Sequence, residues 1–283
     1  MSSLDFAFDE RVVAQYDALR GHPPEVAQVI GEALRGLTRP SLKGAPPRIL
    51  ELGVGTGRIA LPVAAAGAEV IGIDLSANML ATLAQHLRQS PAAIHLVRGD
   101  ITALPFCRGV FDAAMVTHVL HLVADWPAVL QRLAEVVKPG GVLLLGRDWV
   151  DPASMAGQIR MAFRMAVMKQ GFKTAAPAGG PALHQALLAI GATAVCEPAG
   201  ATAPATAIAA DIIAAEWQAR ISPEEVLAGI RSRDDAESWV LPDEILTPVC
   251  AELDAFVAQW PNKKAPQDIL RRFMVSVYRT AEA

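Results

Sequence analysis

The spacing of apolar residues changes character twice along this chain. Up to residue 38 it is helical: Val12, Val13, Tyr16 and Leu19 form one stripe within residues 11–36. His22-Pro23-Pro24 interrupts it, so a second helix is expected from about Pro24 to Leu37, followed by a linker of turn residues over 39–47. From Arg48 onward, short apolar runs of strand length alternate with helical patterns. Strands are expected near 48–53, 69–74, 94–98, 111–117 and 141–147, and helices near 57–66, 76–89 and 126–137. Ser76 reads as an N-cap, and Lys138-Pro-Gly-Gly141 as a stop followed by a tight turn. Alternation at this pace predicts an α/β fold, a parallel sheet with helices on both faces.

After Asp148 the pattern becomes mostly helical. A Met-rich helix is expected over 153–172, a loop over 175–181, a helix over 181–190 and a strand over 192–197. Residues 198–210, almost all Ala, Thr, Pro and Gly, receive no assignment. Helices near 222–231 and 241–259 open with Pro223 and Pro242, and a final strand covers 269–280. The expected division is a helical cap (1–45), a core (46–150), a helical lid (151–191) and a C-terminal part (192–283) that completes the sheet and cap.

Composition narrows the function. With 52% apolar residues, 283 residues can bury a sizeable core. A net charge of −4 gives no global field for nucleic acid. Cys107, Cys196 and Cys250 are scattered and lack metal spacing, which suits a reduced cytoplasmic protein. The first ten residues show no basic start or apolar core of a leader, and no apolar run is long enough to span a membrane.

The candidate chemistry starts at Arg48-Ile-Leu-Glu-Leu-Gly-Val-Gly-Thr-Gly-Arg58, followed by Val70-Ile-Gly-Ile-Asp74. A strand enters three glycines at alternate positions, then a helix begins. Such a turn lets a ligand touch backbone, and the helix N–H groups favour a carboxylate. Counted from Gly53, a dinucleotide fingerprint needs its third glycine at the sixth position, where Arg58 stands; the glycine is Gly57. With Glu51 ahead of the glycines, the segment resembles motif I of class I S-adenosylmethionine (SAM)-dependent methyltransferases. The resemblance continues through Gly99-Asp-Ile101, Phe111–Trp126 and Leu133–Leu145, covering about 48–147 in register. It is most similar to the small-molecule branch that includes ubiquinone/menaquinone-biosynthesis enzymes. It implies a Rossmann-like, seven-stranded, mostly parallel sheet whose last, antiparallel strand is 269–280.

The resemblance also implies roles, each with a plainer alternative. Glu51, Gly53 and Gly55 would line the methionine end of SAM; Arg58 would pair with a nearby acid or touch ligand. Asp74 would take the ribose hydroxyls, or cap the next helix. Leu75 is a further cofactor-binding candidate, and Met79 would pack against adenine, or be core. Asp100 would accept from the adenine amino group with Ile101 on the ring, or be a solvated turn acid. Tyr16, in Ala14-Gln-Tyr-Asp17, resembles a residue folded over bound SAM, or is a core aromatic. Thr117 and His118 would stand at the mouth of the site, with His118 a candidate general base and substrate contact. His118, His121 and Asp125 have helical metal spacing, but no further ligand cluster accompanies them and no metal is expected. Trp149, Met161 and Met165 are candidate substrate-wall residues.

The reading that follows is transfer of a methyl group from SAM to a small, partly apolar molecule by in-line SN2 displacement, leaving S-adenosylhomocysteine (SAH). A sulfonium is already activated, so positioning and exclusion of water suffice and no catalytic constellation is required. No nucleic-acid partner and no membrane span are expected, and a homodimer is compatible. Two alternatives stay open: a methyltransferase acting on protein or RNA, and a non-catalytic SAM-binding protein.

Overall fold

A computed structural model describes residues 21–38, 44–172, 180–195, 211–234, 236–239 and 241–282, with backbone alone at 236 and 239. Tyr16, the expected helix from residue 11 and the tract 198–210 lie outside the described residues. The chain forms two compact units. One comprises Met1–Arg147, Ala175–Ala215 and Phe273–Ala283; the other comprises Asp148–Thr174 and Glu216–Arg272.

The first unit opens with α1 (Pro24–Gly36), then β1 (Arg48–Leu52), α2 (Ala60–Ala65), β2 (Glu69–Asp74), α3 (Ala77–Gln89) and β3 (Ile94–Arg98). After a 3-10 turn at Ile101–Ala103 come β4 (Phe111–Thr117), a second 3-10 turn at Leu120–Leu122, α4 (Trp126–Val136) and β5 (Val137–Val150). Helices α5 (Met155–Lys169) and α6 (Gly180–Ala189) precede β6 (Thr193–Ala194) and β7 (Ile212–Ile221). The chain closes with α7 (Pro223–Arg231), the single turn α8 (Ala236–Trp239), α9 (Asp243–Val257) and β8 (Gln267–Arg279).

The strand order is β3-β2-β1-β4-β5-β8-β6, with β7 paired to β8. β1 to β5 run parallel, and β6 is antiparallel to β8. Strand β4 is buried from Phe111 to Val116, and β1 from Ile49 to Leu52, as strands covered on both faces must be. Their side chains meet Leu130, Leu133 and Val136 of α4 in one apolar core. The winding direction reverses between β1 and β4, and this switch point opens a crevice at the carboxyl ends of the strands.

Two expectations change. Among the described residues the sheet has eight strands, not seven. The extra strand, β7, begins Ile212-Ile-Ala-Ala215, with both alanines buried, and alternates exposed Glu216, Gln218 and Arg220 only afterwards. Its small residues hid the two-residue period. The expected turn at Lys138–Gly141 is instead a bulge inside β5: Phe111 pairs with Val137, but Ala113 pairs with Val142. Gly140 sits at φ 69°, while Lys138 Nζ and the Arg48 amide donate to Asp112 at 2.7 and 2.8 Å, anchoring the bulge to β4.

Elsewhere the local chemistry acts as capping predicts. Ser76 accepts from the Met79 amide (3.3 Å) at the start of α3, and Asp125 from the Ala128 amide (3.3 Å) at the start of α4. Gly31 lets α1 lie against α2; a Cβ there would fall 2.4 Å from the Pro62 carbonyl oxygen.

The second unit has its own core, in which Ile159 and Phe163 of α5 meet Val226 and Ile230 of α7 and Val249 and Leu253 of α9. Ser222 and Glu225 form a capping box on α7.

Candidate active site

The site grows from the turn after β1. Gly53 (φ 65°) and Gly55 (φ 54°) are left-handed, so Cβ-bearing residues are disfavoured at both. At Gly53 a Cβ would strike Val119 Cγ2 at 2.6 Å. At Gly55 nothing comes closer than the Gly53 carbonyl oxygen at 4.0 Å, so the space in front of that backbone is open. The Gly53 and Val54 amides donate to the Ile73 carbonyl, and the Gly55 amide to Asp74 Oδ2 (2.9 Å), which fastens the turn to the end of β2.

Asp74 Oδ1 also accepts from the Ser76 amide at 2.8 Å. Each carboxylate oxygen keeps acceptor capacity beyond these bonds. The N-cap of α3 is Ser76, so Asp74 is not the cap. Burial pushes its carboxyl above the ordinary value, against the amides of Ser76, Gly55 and Leu75, which lower it.

Glu51 is 3% exposed, and its Oε2 has no hydrogen-bond partner among the described residues. Burial pushes its pKa up to about 8, opposed by the charge of Arg58 and reinforced by Asp74. Glu51, Gly53, Gly55, Thr56, Arg58, Thr117 and His118 line one cleft. His118 stands just past β4 at φ 54°, a conformation that costs a non-glycine residue on the order of 1 kcal/mol.

A second cavity, about 760 Å³ with its mouth included, adjoins the carboxyl ends of β4 and β5. Val116, Val119, Leu120, Leu145 and Leu183 form its apolar wall, and His118, His121 and Arg147 are polar. His118 thus lines both spaces.

The remaining sequence candidates fall elsewhere. Met79 is 2% exposed, and Leu75 is 38% exposed beside Asp74. Asp100 is exposed and accepts from the Thr102 amide at 2.8 Å, and Ile101 packs into the main core. Asp125 serves as the N-cap of α4. Trp149, Met161 and Met165 belong to the second unit, where Trp149 carries the Arg272 guanidinium 4.7 Å above its ring and the two methionines are 50% and 56% exposed. Sequence reasoning missed Arg147 and Leu183. A cation at the carboxyl end of the fifth strand was the available signal for Arg147; Leu183 offered none.

Residues 50–145 match a family described as methyltransferase domain. The demethylmenaquinone methyltransferase of Thermus thermophilus is 37% identical over 107 residues, covering 37% of this chain and 49% of that protein. This segment is similar to methyltransferase domains. The malonyl-[acyl-carrier protein] O-methyltransferase of Erwinia pyrifoliae is 37% identical over 120 residues, covering 42% of this chain and 43% of that protein. The chain spans less than half the length of either relative. Phosphoethanolamine N-methyltransferase 2 of Haemonchus contortus, in complex with SAM, superimposes with a TM-score of 0.53 at 16% identity, over 100% of this chain and 60% of that one. That likeness is one of fold.

The residues of the methyltransferase domain fit SAM. The orphaned Glu51 oxygen is an acceptor for an ammonium group, the open backbone at Gly55 admits a ligand, and Asp74 has capacity left for hydroxyls. Among the described residues no group of three His, Cys, Asp or Glu could hold a metal ion, and no helix is long and apolar enough to cross a membrane.

Proposed function

We propose that this chain methylates a small, partly apolar acceptor from SAM, in the cytoplasm. The observation that carries the reading is His118, which lines both the cleft of Glu51 and Gly55 and the apolar cavity beyond it. A methyl donor on one side and an acceptor on the other would meet at this residue. When bound, SAM supplies a methyl group on a sulfonium sulfur, activated for in-line displacement.

The chain's own groups then hold and orient. Glu51 and the glycine turn take the amino-acid end, and Asp74 the ribose. Val116, Leu120, Leu145 and Leu183 exclude water around the acceptor. His118 accepts the proton of an acceptor hydroxyl as its oxygen is methylated. The relatives' names, which point to demethylmenaquinone and to malonyl-[acyl-carrier protein], support a metabolic acceptor over a nucleic acid, as does the net charge of −4.

The test is SAH formation from SAM with a panel of small phenols, quinols and amines. His118→Asn is expected to lower kcat about a hundredfold, within the range for loss of a general base, while the SAM Kd stays unchanged. Failure to bind SAM and to form SAH with any acceptor would sink the reading.

A further inference from the structure

Arg147 is the strongest fixed charge among the described residues of the acceptor cavity. A guanidinium on an apolar wall is by itself a receptor for carboxylates, which it grips with two parallel hydrogen bonds. Here that grip is already taken. Asp211, the residue before β7, accepts from Arg147 Nη1 at 2.9 Å and from Nη2 through its other oxygen. Ser276 of β8 donates its hydroxyl to Asp211 Oδ1 and lies 3.4 Å from Arg147 Nη1.

The pair is braced rather than loosely exposed. The Asp211 side chain is 15% exposed and Ser276 is 5% exposed, although Arg147 itself is 44% exposed toward the cavity side of the strand end. Burial works to raise the Asp211 carboxyl, but hydrogen bonds from Arg147 and Ser276 and the Arg147 charge outweigh it and hold it below the ordinary value. Asp211 is therefore ionised at neutral pH, and the two charges cancel.

We propose that Asp211 is a specificity-determining residue: by occupying Arg147 it bars carboxylate-bearing acceptors from the cavity and leaves it to uncharged, hydroxyl-bearing apolar molecules. This rests on the cavity being the acceptor site. Asp211 acts through Arg147 and does not line the cavity itself. His118 and His121 are the other polar side chains among the described residues that line the cavity, beside Val116, Val119 and Leu183.

The experiment uses two probes of matched size, 1-naphthol and 1-naphthoate, titrated into the full chain at neutral pH with saturating SAH. The wild type is expected to bind naphthol at least about tenfold more tightly. Asp211→Asn keeps the side-chain shape but frees the cation, so naphthoate should gain about tenfold while naphthol changes little. Arg147→Gln added to Asp211→Asn should abolish that gain. Arg147→Gln alone, a check that survives even if Asp211→Asn fails to fold, leaves the Asp211 charge uncompensated and should make naphthoate binding no tighter, while naphthol changes little.

An unchanged naphthoate-to-naphthol ratio in a folded Asp211→Asn protein overturns the proposal. So does tighter naphthoate binding in Arg147→Gln, a wild type that prefers naphthoate, or a wild type that binds neither probe. SAH titration separates this from failure of the methyltransferase reading. A wild type that shows the expected naphthol preference but no SAH binding would refute the latter alone.

Discussion

Glu51 and Asp74 are both carboxylates at strand ends, but their surroundings set them apart. Glu51 is enclosed with an unpartnered oxygen, and its pKa of about 8 means that the ligand-free protein holds it neutral near pH 7. The folded state therefore binds a proton that the unfolded chain, at about 4.5, has released. Between these two values the stability from Glu51 falls as pH rises; it is complete below 4.5 and lost as pH passes through 8, a change on the order of a few kcal/mol. Urea midpoints at several pH values across that window should decline, and Glu51→Gln should flatten the decline. The same neutral carboxyl should ionise when an ammonium group binds beside it, releasing its proton to the solvent. Calorimetric titration of SAM at pH 7 in buffers of different ionisation enthalpy should then show proton release that Glu51→Gln abolishes. Asp74, whose oxygens are already aligned by the Gly55 and Ser76 amides, is expected to contribute differently: Asp74→Asn should weaken SAM about a hundredfold, the worth of two charge-assisted hydrogen bonds.

Close backbone approach is the matching device at the level of elements. Gly31 sits where α1 meets the Pro62 carbonyl of α2, and backbone cannot yield as a side chain would. Gly31→Ala should cost about 1–3 kcal/mol, read as a lower urea midpoint with helix content retained. This contact was invisible in the sequence, where Gly31 is one small residue within an amphipathic helix. Elements set by local pattern were legible: β4 and β3 begin and end where alternating and continuous apolar runs do, and α3 starts after its capping serine. The bulge in β5 was not, because Lys138-Pro-Gly-Gly141 has the residues of a turn, and contacts with Asp112 on one side and with Arg279–Ala281 on the other hold it in the sheet. The same contrast holds within the site. Glu51, Gly53, Gly55, Thr117 and His118 surround one cleft and lie within one stretch of strand ends. Arg147, Asp211 and Ser276 are brought together across 129 residues, a distance no local spacing encodes.

For the molecule as a whole, ligand binding and stability are one equilibrium. SAH at a hundred times its Kd should stabilise the chain by about 2.7 kcal/mol, seen as a rise in Tm by scanning calorimetry. The same SAH concentration should leave the Tm of Asp74→Asn nearly unmoved. The order of strands carries a further consequence. Among the described residues, those lining the cleft of Glu51 and Gly55 all precede residue 119, whereas the neighbouring cavity also draws on Leu145, Arg147 and Leu183, with Asp211 and Ser276 behind Arg147. On the proposed function, exchange of the later stretches is expected to change which acceptor binds, while SAM affinity, encoded in the earlier one, is kept.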